Sequence, residues 1–470
     1  MSLLPLVGEG ALVPVVGGGE VVARSFDFAA SAPALVEVAD AVTALLPWYS
    51  SVHRGAGFLS EISTDAFEAA RVEVGRFVGA RPDDTVIFTR NTTDSLNLLA
   101  ASMAEGTHVV LFDVEHHANL LPWRRHATTV LPTPDSVEEV APAVARAVEG
   151  AHRGGAKRIV VAMTGASNVT GELWPVAEVT EAAHAHGARV AVDAAQLAPH
   201  GPVDLARWDA DWVSLSGHKL YAPFGAGALV GRADWLAEGD PFLRGGGAVR
   251  WVTPEDVSWA ALPDRQEAGS PNVLGAVALG AACRALRRVG MDVVLATEAK
   301  HAAHLAEALG AIPGLIRYRL WAEGHPRIGV VTFNLAGYDH AQVAAVLAAE
   351  HGISVRNGCF CAHPLLVRLL HVDDPDAIRA EMEAPSRTHP TPGAVRASTG
   401  ISTTAADVEA LADAVAALVS DGPRWAYRFD PKTGGYHPDP DDRPRPILPF
   451  PGPDHSAGGA GLGGGTADAC

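Results

Sequence analysis

Two short stretches hold the densest set of reactive groups in the 470-residue chain: VDAAQ at 192–196 and SLSGHKLYAP at 214–223. Asp193 closes one apolar run, and Lys219 follows Ser216, Gly217 and His218 at the close of another. A lysine amine forms an imine with an aldehyde, and a carboxylate keeps a pyridine nitrogen protonated so that the ring withdraws electrons. Those are the two demands of pyridoxal 5′-phosphate (PLP), so Lys219 is read as its anchor and Asp193 as its ring partner. A phosphate needs donors at a helix start, and Thr92 and Thr93 stand ahead of Leu96, Leu99, Ala100 and Met103 at helical spacing. Ser216 and His218 add donors beside the lysine. EHHANLLPW (115–123) puts His116 and His117 in a strand-end loop, where an imidazole can stack on a ring or move a proton. With only Glu115 at ligand spacing, no metal is expected there.

These groups need strands to carry them. VIF (86–88), HVVLF (108–112), RIVVAM (158–163), RVAVD (189–193) and DWVSLS (211–216) are short apolar runs separated by amphipathic stretches. That pattern predicts an α/β fold whose mostly parallel sheet is covered by helices on both faces. Ligands in such sheets gather at the carboxyl ends of the strands, where the motifs lie. From about residue 290 the texture becomes helix, strand, helix, with RIGVVTFNL (327–335) as the clearest strand, which predicts a smaller α+β domain. A final helix is expected over 404–419, with Val408, Leu411, Ala412, Val415 and Leu418 inward and Thr403 or Thr404 as N-cap. The division expected is an N-terminal extension (1–24), a large domain (25–290), a small domain (291–422) and a Pro/Gly-rich tail (423–470). Segments 373–393 and 423–470 read as poorly ordered.

Bulk properties narrow the ligand class. The 36 Lys+Arg against 54 Asp+Glu give a formal charge of −18, which disfavours a phosphate-backbone partner, so no nucleic acid is expected. Four cysteines (Cys283, Cys359, Cys361, Cys470) are spaced unlike a secreted disulfide framework and point to a reducing compartment. Residues 1–24 fail as a signal peptide and no apolar run reaches membrane-spanning length, so a cytoplasmic protein is expected.

Taken together, DFAAS (27–31), VHRG (52–55), RNTTDSLNL, EHHAN, SNVTGEL (167–173), VDAAQ, SGHKLYAP, GGG (245–247), EAGSPN (267–272), RNGCFCAHP (356–364) and VRAS (395–398) occur in one order. In that order they resemble the class V aminotransferase-like branch of fold-type I PLP enzymes, and within it the group II cysteine desulfurases and selenocysteine lyases. The resemblance implies that Lys219 binds the cofactor, Asp193 pairs with its ring nitrogen, His116 stacks on the ring and Gln196 bonds its hydroxyl. Asn168 would lie nearby, facing the substrate, and Thr93, Ser216 and His218 would hold the phosphate. Ser270 would reach the phosphate of a neighbouring subunit, with His53 and Arg54 near the same interface, which implies a homodimer. Arg396 resembles the arginine that clamps the substrate carboxylate, a task suited to a bidentate guanidinium.

Cys361 corresponds to the family's sulfur-accepting cysteine, which implies conversion of L-cysteine to L-alanine with a persulfide left on Cys361. L-selenocysteine is a further substrate under the same resemblance, and a sulfur-acceptor protein or small molecule must then collect the sulfur. Cys359 makes a Cys-Phe-Cys element similar to one in molybdenum-cofactor sulfurases. Cys283 reads as core, and Cys470 as either an exposed leftover or a mobile sulfur carrier. Two other readings stay open on residues alone: another class V reaction that uses no persulfide, such as transamination, epimerisation or C–S/C–Se lysis, and a catalytically silent scaffold.

Overall fold

The structure is a computed structural model that describes residues 2–384 and 390–446. After a short antiparallel pair, Leu12–Pro14 with Glu20–Val22, strand Arg24–Phe26 (β1) precedes the seven strands of the larger sheet. These are Asp84–Thr89 (β2), Thr107–Phe112 (β3), Ala127–Leu131 (β4), Arg158–Thr164 (β5), Arg189–Asp193 (β6), Trp212–Ser216 (β7) and Gly227–Arg232 (β8). Their order is β2-β8-β7-β6-β5-β3-β4, parallel throughout except for β8, which runs antiparallel to β2 and β7.

Side chains on a strand alternate between faces, and here both faces are apolar. Val110, Phe112, Ile159, Val161, Val190, Val192, Val213 and Leu215 pack into one core. Their neighbours Val109, Leu111, Val160, Ala162, Ala191 and Trp212 pack into a second core on the opposite face, with Leu96, Leu99 and Trp123. This is why the strands read as continuous apolar runs rather than as an alternation.

The smaller sheet contains Leu315–Tyr318 (β9), Val330–Leu335 (β10), Ile353–Gly358 (β11) and Ala394–Ser398 (β12) in the order β9-β10-β12-β11-β1. Strand β1 pairs parallel to β11, so the chain enters this sheet once before it builds the large one and returns to it afterwards. Helices Met291–Gly310, His340–His351 and Ala405–Asp421 supply its core through Leu305, Leu309, Val343, Val346, Leu347, Val408, Leu411, Val415 and Leu418. Thr404 is the N-cap of the last helix, in a capping box with Asp407. Among the described residues, no helix is long and apolar enough to cross a membrane.

Two expectations change. The described part of 373–393 contains a helix, Pro375–Met382, whose N-cap Asp374 accepts from Ala377 N–H. Within the described part of the tail, Tyr427–Asp430 and Gly435–Pro438 form a hairpin docked on helix His340–His351; residues 447–470 lie outside the described residues. Glu350 anchors it by accepting from the backbone of Arg424 and Trp425 and from the Tyr427 hydroxyl. Phe429 and Tyr436 pack ring on ring at 5.5 Å. Pro/Gly-rich composition masked the aromatics Tyr427, Phe429 and Tyr436, which are half-buried in this hairpin. Cys470 lies outside the described residues.

Candidate active site

Strand ends converge on a cavity of about 300 Å³ between the two sheets. The larger sheet contributes His116 after β3, Thr164 and Asn168 at and after β5, Asp193 and Gln196 after β6, and Ser216, His218 and Lys219 after β7. The smaller sheet supplies Arg356 from β11, Arg396 from β12, and Phe360 and Cys361 from the loop beyond β11.

Lys219 sits on a tight turn that requires glycine two residues earlier. Gly217 N–H donates to Ala226 C=O at 2.8 Å, and a Cβ at Gly217 would stand 2.6 Å from that oxygen. Desolvation pushes the Lys219 amine down to about 8, with the positive charge of Arg396 adding to the shift and Asp193 opposing it. Asp193 is buried, which raises its carboxyl above the usual range despite the 2.9 Å hydrogen bond from Ala195 N–H and the nearby Lys219.

His116 Nδ1 accepts from Ala118 N–H at 3.0 Å, which fixes the ring. Burial, and then the charge of Lys219, push its pKa down to about 3, so the imidazole is neutral. The loop is buttressed from beneath. Glu115, fully buried, accepts from Thr164 N–H at 2.9 Å and from Asn119 Nδ2 at 2.7 Å, and Asn119 accepts from Trp123 Nε1.

Helix Thr92–Ser102 points its N-terminus at the cavity. Its N-cap is Asn91 rather than either threonine, with Asn91 Oδ1 accepting from Asp94 N–H. Ser216 Oγ accepts from Thr92 N–H at 2.8 Å and donates to Thr92 Oγ1 at 2.9 Å, which ties β7 to the helix start. Thr93 and His218 line the same end of the cavity. Burial and the Lys219 charge push His218 down to about 4.

On the far side Arg396 is buried and donates through Nη1 to Asn168 C=O at 2.8 Å, with the Phe360 ring 5.1 Å from its guanidinium. Asn168 Nδ2 in turn donates to Phe360 C=O at 2.7 Å, and His117 N–H donates to Cys361 C=O at 2.8 Å. Both carbonyl anchors matter because Phe360 and Cys361 are consecutive non-glycine residues at φ 53° and 54°. Left-handed backbone of this kind persists only where its surroundings over-determine it, and it recurs at functional loops. Burial raises the Cys361 thiol above its ordinary value, opposed by the charges of Lys219, Arg356 and Arg396.

The sequence-predicted residues therefore split. Lys219, Asp193, Gln196, His116, Thr92, Thr93, Ser216, His218, Asn168, Cys361 and Arg396 meet in one cavity. His53, Arg54 and Ser270 do not; they gather with Gly246 and Gly247 around a separate cavity of about 320 Å³. Sequence reasoning passed over Asp27, Asn91, Arg356 and Phe360, although Asp27 and Arg356 open two of the quoted motifs. It also left Cys359 without a setting: its Sγ is 3.1 Å from His363 Nε2, and His363 Nδ1 is 3.0 Å from His117 Nε2. That is a chain rather than a convergent set, and no group of three or more His, Cys, Asp or Glu among the described residues could hold a metal ion.

The cavity fits PLP on its own terms. Gln196 donates through Nε2 to Ala29 C=O, but its Oε1 is buried with no hydrogen-bond partner. A ring hydroxyl would satisfy that oxygen, and a pyridinium N–H would offset the cost of burying Asp193. A neutral His116, a helix N-terminus and a lysine with a lowered pKa complete the donor set.

Comparison with known proteins agrees. A family model described as aminotransferase class-V matches residues 24–411. A probable cysteine desulfurase of Halalkalibacterium halodurans is 36% identical over 332 residues, covering 67% of this chain and 78% of the relative. A cysteine desulfurase of Dickeya dadantii is 37% identical over 332 residues, covering 68% and 78%. Among solved structures, the apo cysteine desulfurase of Thermococcus onnurineus NA1 superposes with a TM-score of 0.73 at 30% identity, over 84% of this chain and 94% of that one.

Proposed function

The chain belongs to the aminotransferase class-V family and is a PLP-dependent cysteine desulfurase; on that premise we propose how its own residues divide the work. The observation that carries the assignment is a single cavity that gathers a lysine, a buried acid, a carboxylate clamp and a thiol.

When bound, PLP supplies an aldehyde for the amine and a ring that draws electrons from the substrate α-carbon. Lys219 would hold that aldehyde, and its Nζ is placed to take the substrate α-proton. Asp193 would hold the ring nitrogen, Gln196 the ring hydroxyl and His116 one face of the ring. Thr92, Thr93, Ser216 and His218 would hold the phosphate. Arg396 clamps the substrate carboxylate and orients its side chain toward the loop of Cys361.

The Cys361 thiolate attacks the substrate sulfur. As the S–S bond forms, the C–S bond breaks and its electron pair stays with the substrate β-carbon; the β-carbon is then protonated, and the α-carbon regains a proton from Lys219, to give L-alanine. The persulfide remains on Cys361. A sulfur acceptor, protein or small molecule, must collect it, and the half-buried position of Cys361 supports a partner that reaches into the mouth.

We also propose a homodimer. Trp48, Tyr49, Phe58, Leu59, Trp251 and Val252 are exposed apolar side chains, and a surface of that kind favours burial against another subunit. His53, Arg54 and Ser270 border the second cavity near this face, where a neighbouring chain could complete their role.

Borohydride reduction of the holoenzyme followed by peptide mapping tests the cofactor assignment. The reduced cofactor is expected on Lys219 and to be absent in Lys219→Ala. Label on any other lysine would refute it.

A further inference from the structure

Glu115, Asn119 and Trp123 are fully buried behind the His116 loop, and the indole of Trp123 sets the sense of every hydrogen bond that joins them. An indole N–H can only donate, so the side-chain atom of Asn119 that faces it at 3.0 Å is the oxygen. The amide nitrogen of Asn119 is then the atom turned to Glu115 Oε2, at 2.7 Å. Glu115 Oε1 faces the Thr164 N–H at 2.9 Å, a second group that can only donate. A proton on either carboxylate oxygen would point at a donor, so the network fits Glu115 in its ionised form.

That charge is costly where it sits. Burial is the largest influence on the Glu115 carboxyl and pushes it well above its ordinary range, and the charges of Asp193 and Asp113 add to the rise. Asp193 stands beside Thr164 in the register of β5 and β6, so both buried carboxylates border that residue. A buried negative charge is tolerated when a cation meets it. The group that Asp193 is placed to hold is a ring nitrogen, which becomes a cation once protonated.

We infer that Glu115 is a positioning residue that acts through Asp193: its buried negative charge makes the cavity select a cofactor ring that carries a proton on nitrogen over one that cannot. The inference rests on the PLP reading and adds a second acid behind the one that touches the ring. Asp193 supplies the contact and Glu115 the field, which reaches further in a dry interior than in water. The same network fixes the His116 loop, so one set of buried groups serves both the face of the ring and its charge.

The test separates charge from fit. Full-length protein freed of cofactor is offered PLP and 1-deaza-PLP, in which a C–H group replaces the ring nitrogen, and the preference between them is read from competition by cofactor absorbance. Glu115→Gln alone would set the new amide against one of the two donors. Adding Trp123→Phe removes the indole N–H and frees Asn119 to turn its oxygen to that amide, which restores the hydrogen bond without the charge. In the double variant the preference for PLP is expected to fall about tenfold, the scale of removing one charge at short range in a partly screened site. Trp123→Phe alone keeps the charge and should keep the preference.

A double variant that loses affinity for both ligands equally would overturn the inference and leave Glu115 as support for the loop alone. An equal fall of the preference in Trp123→Phe would overturn it too. Should the double variant fail to fold, Glu115→Gln decides by the same ratio, because loss of fit lowers both affinities together. Wild-type protein that binds neither ligand would instead sink the PLP reading, a result separate from any ratio.

Discussion

Burial brings the Lys219 amine from 10.5 down to about 8, and the consequence is kinetic. Only the neutral amine attacks an aldehyde, and the neutral form accumulates above the pKa. Capture of PLP by cofactor-free protein should therefore accelerate as pH rises, with a midpoint near 8; stopped-flow absorbance would show it, and a midpoint near 10 would contradict the assigned environment. Cys361 shifts the other way, since burial raises its thiol. Its alkylation before substrate arrives should rise with pH only above the ordinary thiol range, as followed by peptide mass spectrometry. At this scale Lys219, Asp193 and His116 were legible from their residue types beside strand ends, whereas Cys361 was singled out only by the resemblance of RNGCFCAHP; all four line one cavity. The placing of Asp27 and Arg356 beside Arg396 was not legible, because it depends on which strands lie side by side. No local pattern reveals that Arg356 stands opposite Arg396.

Turns and loops between elements set the geometry of these groups. At Gly217 the absent side chain lets β8 approach the lysine turn, and Gly217→Ala would press a methyl group onto Ala226 C=O. The variant is expected to lose stability by about 1–3 kcal/mol, as overpacked sites do, and to fall in cofactor occupancy. Denaturant unfolding and the ratio of cofactor to protein absorbance would check both effects, and full occupancy at unchanged stability would count against the role given to this turn. The apolar runs identified the parallel strands because both faces of the large sheet are buried. Thr404 was equally legible as a cap, since capping depends on local sequence. The helix Pro375–Met382 and the hairpin 427–438 were not: composition hid the Asp374 cap in one and the aromatic pair in the other. The left-handed pair Phe360–Cys361 carried no sequence signal either, because neither residue type favours that backbone.

Across the whole molecule, the two sheets meet at the cavity, so the site depends on how the chain returns after the large sheet to pair with β1. Trp48, Phe58 and Trp251 are large apolar side chains exposed to solvent, which a partner subunit would cover. Sedimentation is expected to show a dimer, and Trp251→Asp to shift it toward monomer. A wild-type monomer at all concentrations would remove the proposed role of Ser270 across subunits.

The central claim is that Cys361 takes sulfur from a substrate activated at Lys219. Its most direct test is to mix the holoenzyme with one equivalent of L-cysteine, block thiols, and fragment the peptide containing Cys359 and Cys361 in a mass spectrometer. The account predicts one added sulfur on Cys361 with matching L-alanine, and neither persulfide nor rapid alanine formation in Cys361→Ala, whose cofactor band stays intact. Alanine produced at the wild-type rate by Cys361→Ala, or sulfur found only on another residue, would contradict it.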